Sequence, residues 1–254
     1  MPSTFYNPFT LEGKTILITG ASSGIGAETA IECSKMGANV IITGRNEQRL
    51  NGTFQRLEKT FPEQQHLMFC ADLTKESDLA SLVDSIQELD GLVNNAGVNR
   101  VKPVTFIKED DLEFVFQNNT FASINLTRML LKKKKLNNNA SIVFTSSVSA
   151  FYNAPGRALY ASSKAAITSY MRSVAVEMSI KNIRANAVHP GLVETNLNKD
   201  VLSEEDKQKD LANYPLKRYG KPEEIAWAII YLLSDASAWT TGTSLTVDGG
   251  FMLK

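Results

Sequence analysis

Only two cysteines, Cys33 and Cys70, and two histidines, His66 and His189, occur in the 254 residues. None of them stands at a metal-ligand spacing, so no metal is expected and the two thiols are read as reduced and buried. An excess of charge of either sign is also missing, since 27 lysines and arginines are met by 27 aspartates and glutamates. No global field then draws the chain to nucleic acid or to a membrane surface, and any anionic ligand must be held by local groups. No apolar run approaches the roughly 20 residues that cross a bilayer, and residues 1–9 lack a basic stretch followed by an apolar one. The expectation is a soluble, cytoplasmic protein with neither nucleic-acid nor membrane partners. Internal repeats and domain linkers are absent as well. What is present, 43% hydrophobic and 21% charged residues, suits one domain over residues 1–254 and excludes disorder and fibres.

Short apolar, β-branched runs alternate with helical patterns throughout. Residues 14–19 read as a buried strand closed by Gly20, and a helix follows from about 24 to 36 with Gly37 as its C-cap. Residues 39–43 give a second strand, 47–59 a polar helix and 66–71 a third strand. Thr74 is expected to cap a helix reaching about residue 89, before a fourth strand at 91–94. A long helix over about 110–135 precedes a strand at 141–146, and a second long helix over about 157–180 precedes a strand at 183–188. Pro222 with Glu223 and Glu224 opens a further helix, and residues 244–248 close as a strand. Such alternation implies right-handed crossovers and an α/β fold, a doubly wound parallel sheet with helices on both faces. The polar segment 192–219 breaks the rhythm and is expected to be a mobile cap over a site.

The first strand runs into Thr19-Gly20-Ala21-Ser22-Ser23-Gly24-Ile25-Gly26 and then a helix. Glycines there let a phosphate approach backbone N–H groups at the positive end of a helix, which predicts a dinucleotide site. About 20 residues on, an acid would favour a free ribose 2′-hydroxyl. The residues are Thr43-Gly44-Arg45, so NADP(H) is favoured over NAD(H). Asp72 follows the third strand, where it could accept from an adenine amino group. Asn94-Asn95-Ala96-Gly97 ends the fourth at the same carboxyl edge. Tyr160 and Lys164 are four apart, hence on one helix face. An ammonium beside a phenol favours the phenolate, which makes Tyr160 a candidate proton donor or acceptor with its pKa drawn down.

Together these residues resemble the classical short-chain dehydrogenase/reductase family. The likeness rests on the loop at 19–26, Asn-Asn-Ala-Gly at 94–97, Ser147, Tyr160 with Lys164, Pro190-Gly191 with Thr195, and Val247-Asp248-Gly249-Gly250. It implies a Rossmann-type sheet of seven strands and hydride transfer between nicotinamide and a carbonyl or secondary alcohol. It also implies Tyr160 as general acid, Lys164 as its modulator, Ser147 as a second donor to the substrate oxygen, and Asn119 as support for a water in the proton path. Asn118 and Ser146 stand beside the last two, and the family's pattern favours Asn119 and Ser147. Cofactor contacts are implied for Gly20, Ser22, Ser23, Gly24, Ile25, Gly26, Arg45, Asp72, Leu73, Asn95, Ala96, Gly97, Tyr160, Lys164, Pro190, Gly191, Val193 and Thr195. His189 is read as structural.

Within the family the chain is similar to 3-oxoacyl-carrier-protein reductases, which makes a 3-oxoacyl-type or general carbonyl reductase the first expectation. A sugar, polyol or other secondary-alcohol dehydrogenase is the second, and a non-catalytic dinucleotide sensor the third. Phe151, Tyr152 and Asn153 are expected to line the pocket. Lys132 to Lys135 lies where an acidic acyl carrier protein could dock, although lysines in a last helical turn also complement its dipole. The family's habit implies a homotetramer, or a homodimer, through the long helices and the last strand. Ala161, Ala165, Ala166, Ile167, Val174 and Ala175 would suit either that contact or packing on the sheet.

Overall fold

The computed structural model describes residues 6–195 and 204–253. Its seven parallel strands form one sheet in the order β3-β2-β1-β4-β5-β6-β7. In chain order the elements are β1 (Thr15–Thr19), α1 (Gly24–Lys35), β2 (Asn39–Gly44), α2 (Glu47–Thr60), β3 (Leu67–Cys70), α3 (Glu76–Ser85) and β4 (Leu89–Asn94). Then come α4 (Glu109–Phe116), α5 (Ala122–Lys132), β5 (Leu136–Thr145), α6 (Ala158–Glu177), β6 (Arg184–Pro190), α7 (Glu204–Leu211), α8 (Pro222–Leu233) and β7 (Ser244–Val247). This is the doubly wound α/β sheet that the alternation predicts.

Successive strand residues point to opposite faces, and both faces are dry. Ile16 and Ile18 of β1, with Val40, Ile42, Val93 and Val143, pack on one side with Ile31, Leu50, Ile225 and Ile229 from the helices. Leu17, Ile41, Leu92, Ile142 and Phe144 face the other side, where Leu82, Leu126, Ile167 and Met171 meet them. The chain winds outward in both directions from β1 and β4, so the crevice beyond their carboxyl ends is where such a sheet binds ligands.

Several expected boundaries move. The helix expected to reach 89 ends at Ser85, because Leu89 already pairs with Leu136 in the sheet. Lys75 rather than Thr74 is its N-cap residue. The long helix over 110–135 is α4 and α5 joined by a π-turn, Gln117–Phe121, and it stops at Lys132. β5 therefore starts earlier than expected, with a register shift against β4 between Leu89 and Gly91. Cys33 is buried as expected, but Cys70 is exposed. β3 pairs only with β2 at the sheet edge, so its side chains lack the second layer that buries a central strand. On α6, Ile167, Val174 and Ala175 are buried in the core cluster against the sheet, Ala161 is buried outside that cluster, and Ala165 is exposed. Residues 196–203 of the expected cap lie outside the described residues. The remainder of that segment holds α7, and Val193 bridges to Gly220 beside it.

Candidate active site

Gly20 takes a positive φ of 66°, and a Cβ there would lie 2.8 Å from the Ala96 Cα. At Gly26 a Cβ would come within 2.4 Å of the Gly20 carbonyl oxygen. The β1–α1 turn thus folds tightly against the end of β4, with the N-terminus of α1 turned towards the crevice. Thr19 ties the two strands together: its hydroxyl accepts from the Asn95 and Ala96 N–H groups at 2.9 and 3.0 Å. The Asn95 side chain donates to the Thr19 carbonyl at 3.1 Å. A rigid turn results, a cradle at the N-terminus of α1 that side chains at Gly20 or Gly26 would push out of shape by collision with its own backbone. These features fit a dinucleotide pyrophosphate.

The cradle opens into a cavity of about 400 Å³. Its walls include Gly20, Ser22, Ser23, Gly24, Ile25, Arg45, Asp72, Leu73, Asn95, Ala96, Gly97, Ser147, Tyr160, Lys164, Pro190, Gly191, Val193 and Thr195. Every expected cofactor residue except Gly26, which lies beneath the turn, is in that lining. Arg45 does not simply point to water, since its guanidinium donates to the Asn118 side-chain oxygen at 3.0 Å. Arg49, a helical turn beyond Arg45, lines the same end. Sequence reasoning passed over it, although the spacing of four between two arginines was visible. Asp72 accepts from the Thr74 hydroxyl at 2.7 Å and its N–H at 3.1 Å. Burial works against the Asp72 charge, but these bonds and nearby Arg45 hold its carboxyl below the usual range. Thr195 lies against the start of α1, where a Cβ on Gly24 would sit 3.1 Å from its Cγ2.

At the other end of the cavity Ser147, Tyr160 and Lys164 converge. The Ser146 hydroxyl is spent on the Lys164 carbonyl at 3.0 Å and on Thr168. Ser147 instead stands near the Tyr160 phenol, whose pKa its hydroxyl lowers, and its Oγ accepts from the Ser149 N–H at 3.1 Å. Asn119 and Asn118 part company in the π-turn. Asn119 is 1% exposed, donates to the Val98 carbonyl and Ser163 at 3.0 Å each, and accepts from the Val98 N–H at 2.7 Å. It stands behind Gly97, where a Cβ would be 3.1 Å from its Oδ1 and 3.4 Å from the Lys164 Nζ. Asn118 turns to the Arg45 end.

The expectation that Lys164 draws the phenol down is not met. Burial holds Tyr160 above its ordinary pKa, against a lowering by the nearby Ser147 hydroxyl and Arg157. Lys164 lies 5.7 Å from the Tyr160 ring centroid and donates to the Thr145 carbonyl at 2.7 Å. Burial brings Lys164 itself down to about 8. At neutral pH the pair is therefore a protonated phenol beside an ammonium that gives up its proton unusually readily, an arrangement suited to donating rather than accepting.

Fold, phosphate cradle and this acidic pair together define a dinucleotide-dependent oxidoreductase acting on CH–OH and C=O groups. Comparison with known proteins agrees. A family profile described as Enoyl-(Acyl carrier protein) reductase matches residues 20–252. The 3-oxoacyl-[acyl-carrier-protein] reductase FabG of Thermotoga maritima is 36% identical over 251 residues, 96% of this chain and 99% of that one. A structure of 7α-hydroxysteroid dehydrogenase with NADH and 7-oxo glycochenodeoxycholic acid has a TM-score of 0.90 at 32% identity, covering 97% and 98% of the two chains. L-sorbose reductase of Gluconobacter frateurii, with NADPH and L-sorbose, has a TM-score of 0.89 at 26% identity, covering 98% and 100%. The chain belongs to the short-chain dehydrogenase/reductase family. Among the described residues no helix is long and apolar enough to cross a membrane.

Proposed function

We propose that the protein is an NADP(H)-preferring reductase of ketones with an apolar substituent, of the 3-oxoacyl or cyclic type. The observation that carries this reading is the convergence of Ser147, Tyr160 and Lys164 at one end of a cavity whose other end holds the glycine turn and Arg45. Tyr160 would give its proton to the substrate oxygen as that oxygen gains charge, and the Ser147 hydroxyl would hydrogen-bond the same atom. Lys164 would compensate the phenolate left behind, and Asn119 would hold the Gly97–Val98 wall against the lysine. The nicotinamide supplies the hydride when bound.

Phe151, Tyr152 and Asn153, expected to line the pocket, are not part of the cavity lining, and the apolar preference rests on the aromatic rings that follow Ser147 and would meet the part of a substrate outside the cavity. Phe151 and Tyr152 are 48% and 50% exposed. Tyr152 meets Phe251 edge to face at 5.1 Å, and Phe251 leans on Tyr214 at 5.0 Å. Rings presented this way offer area to an acyl chain or a fused ring and few partners to a polyol, whose hydroxyls would lose water without replacement. The likeness to L-sorbose reductase keeps a sugar or polyol substrate as the second reading. Carrier-protein docking gains less support: Lys133 pairs with Asp84 and Lys135 donates to the Ile86 carbonyl, so two of the four lysines serve the end of α3. A panel of 3-oxoacyl thioesters, cyclic ketones and ketoses with NADPH tests the proposal. The first two classes should lead in kcat/KM by at least about tenfold, as apolar contacts of 1–3 kcal/mol allow. A ketose that matched them would move the assignment to the second reading.

For the cofactor, Arg45 would meet a 2′-phosphate, with Arg49 adding charge and no acid among Thr43, Gly44 and Arg45 at the end of β2. Arg45→Asp should raise the KM for NADPH by about 10- to 100-fold, the worth of one charge-assisted hydrogen bond. The KM for NADH should stay level or fall. Steady-state kinetics with both cofactors check this, and an unchanged ratio between them removes the NADP(H) assignment.

A further inference from the structure

His189, near the end of β6, is fully buried. Its Nδ1 lies 2.9 Å from the Ser147 carbonyl oxygen. Since that oxygen only accepts, Nδ1 carries the ring proton and donates it. Nε2 is buried and has no hydrogen-bond partner among the described residues. A ring that only filled space could be hydrocarbon and would leave no polar atom unpaired, so the imidazole calls for another explanation. Its face supplies one, because it stacks on Phe151 at 4.6 Å with the planes 29° apart. Ser147 and Phe151 are the two ends of a single 3₁₀ turn, closed by the Phe151 N–H on the Val148 carbonyl at 2.9 Å. One imidazole therefore touches the backbone of Ser147, which lines the cavity with Tyr160, and the side chain of Phe151, which on the reading above would meet the apolar part of the substrate. Burial, with the nearby cations Lys164 and Arg172, keeps His189 below its ordinary pKa despite the bond to Ser147, so the ring is neutral.

We propose that His189 is a positioning residue with two separable effects: its Nδ1–H sets the Ser147 hydroxyl against Tyr160, and its face sets Phe151 against the apolar part of the substrate. The inference rests on the reductase reading given above. It predicts a split between kcat and KM that a merely structural histidine would not produce. His189→Asn keeps a donor two bonds from Cβ and loses the ring. It should hold kcat within about threefold while the substrate KM rises about 3- to 10-fold, the worth of an aromatic stack. His189→Phe keeps the stack and loses the donor. Here kcat should fall about 10- to 100-fold, as small displacements of a reacting group cost, with KM nearly unchanged. In both variants the NADPH dissociation constant, from fluorescence titration, should match wild type. Phe151→Ala, on the half-exposed partner, should reproduce the KM rise of His189→Asn, and it decides the matter if the buried variants do not fold. Loss of kcat, KM and cofactor affinity together in both His189 variants, or an unchanged KM in Phe151→Ala, overturns the inference while wild-type turnover leaves the reductase reading intact. A wild-type protein that binds NADPH and reduces no ketone overturns both.

Discussion

Tyr160→Phe should lower kcat for ketone reduction by about 10³-fold or more while leaving NADPH binding within about twofold of wild type. The substitution removes one oxygen and keeps the ring, so α6 and the cavity wall are preserved. What is lost is the hydroxyl that Tyr160 brings to the reacting end of the cavity. The neighbouring Ser147 hydroxyl can donate a hydrogen bond but is far too weak an acid to release its proton near neutrality. Lys164 points at the Thr145 carbonyl rather than past the phenol, so it does not substitute as donor. Because burial keeps the phenol above its ordinary pKa, wild-type Tyr160 is protonated and ready to donate across the neutral range. Single-turnover measurement of NADPH oxidation separates the chemical step from release. A variant within tenfold of wild type would show that the proton comes from elsewhere.

Much of this site was legible in the sequence because its parts are forced by local chemistry. A phosphate cradle needs glycines where the backbone turns with positive φ and where a Cβ would collide, and Gly20 and Gly26 have no substitute for either purpose. The Tyr160 and Lys164 spacing reads directly as one face of α6. The strands were legible because two buried faces require continuous apolar runs. What stayed hidden depends on contacts between distant segments. A π-turn inserts a residue into a helix without disturbing an apolar pattern that is already irregular, so the opposed directions of Asn118 and Asn119 leave no trace in the sequence. Cys70 looks buried from its apolar neighbours, and only the edge position of β3 exposes it. The destination of the Lys164 ammonium, a carbonyl at the end of β5, could not be read from its distance to Tyr160. Burial of the phenol, equally invisible in the spacing, is what raises its pKa against the expected direction.

The same buried ammonium leads to the second large effect, in which activity and stability move in opposite directions. Lys164→Met should reduce kcat by about 10²- to 10⁴-fold, since the phenolate formed when Tyr160 gives up its proton then lacks the buried ammonium one helical turn away and keeps only the weaker help of Arg157 among the described residues. Yet the fold should not suffer. Lys164 is 4% exposed, and burial lowers it from 10.5 to about 8, so its charged form is worse off folded than unfolded. A depressed lysine costs its full penalty below its folded pKa, and that penalty is relieved as pH rises from about 8 towards the unfolded value, where the unfolded chain binds more protons. Removing the charge at pH 7 therefore recovers on the order of 3 kcal/mol, at about 1.4 kcal/mol per pKa unit. Against this stands the hydrogen bond to Thr145, whose loss with the carbonyl left unpaired costs about 1–3 kcal/mol. Tm at pH 7 should therefore be level with wild type or up to several degrees higher, at about 2–4 °C per kcal/mol for a chain of this size. The difference should shift against the variant by pH 9.5, where wild-type Lys164 is mostly neutral when folded and more than half of its penalty has been relieved. Wild-type reduction should decline over the same interval, because the deprotonated amine no longer stabilises the phenolate. Melting scans and kcat profiles across pH 6–10 measure both effects. A variant that melts lower by the same margin at both ends, or a wild-type rate flat through pH 8, would mean that Lys164 is not the strained cation described here.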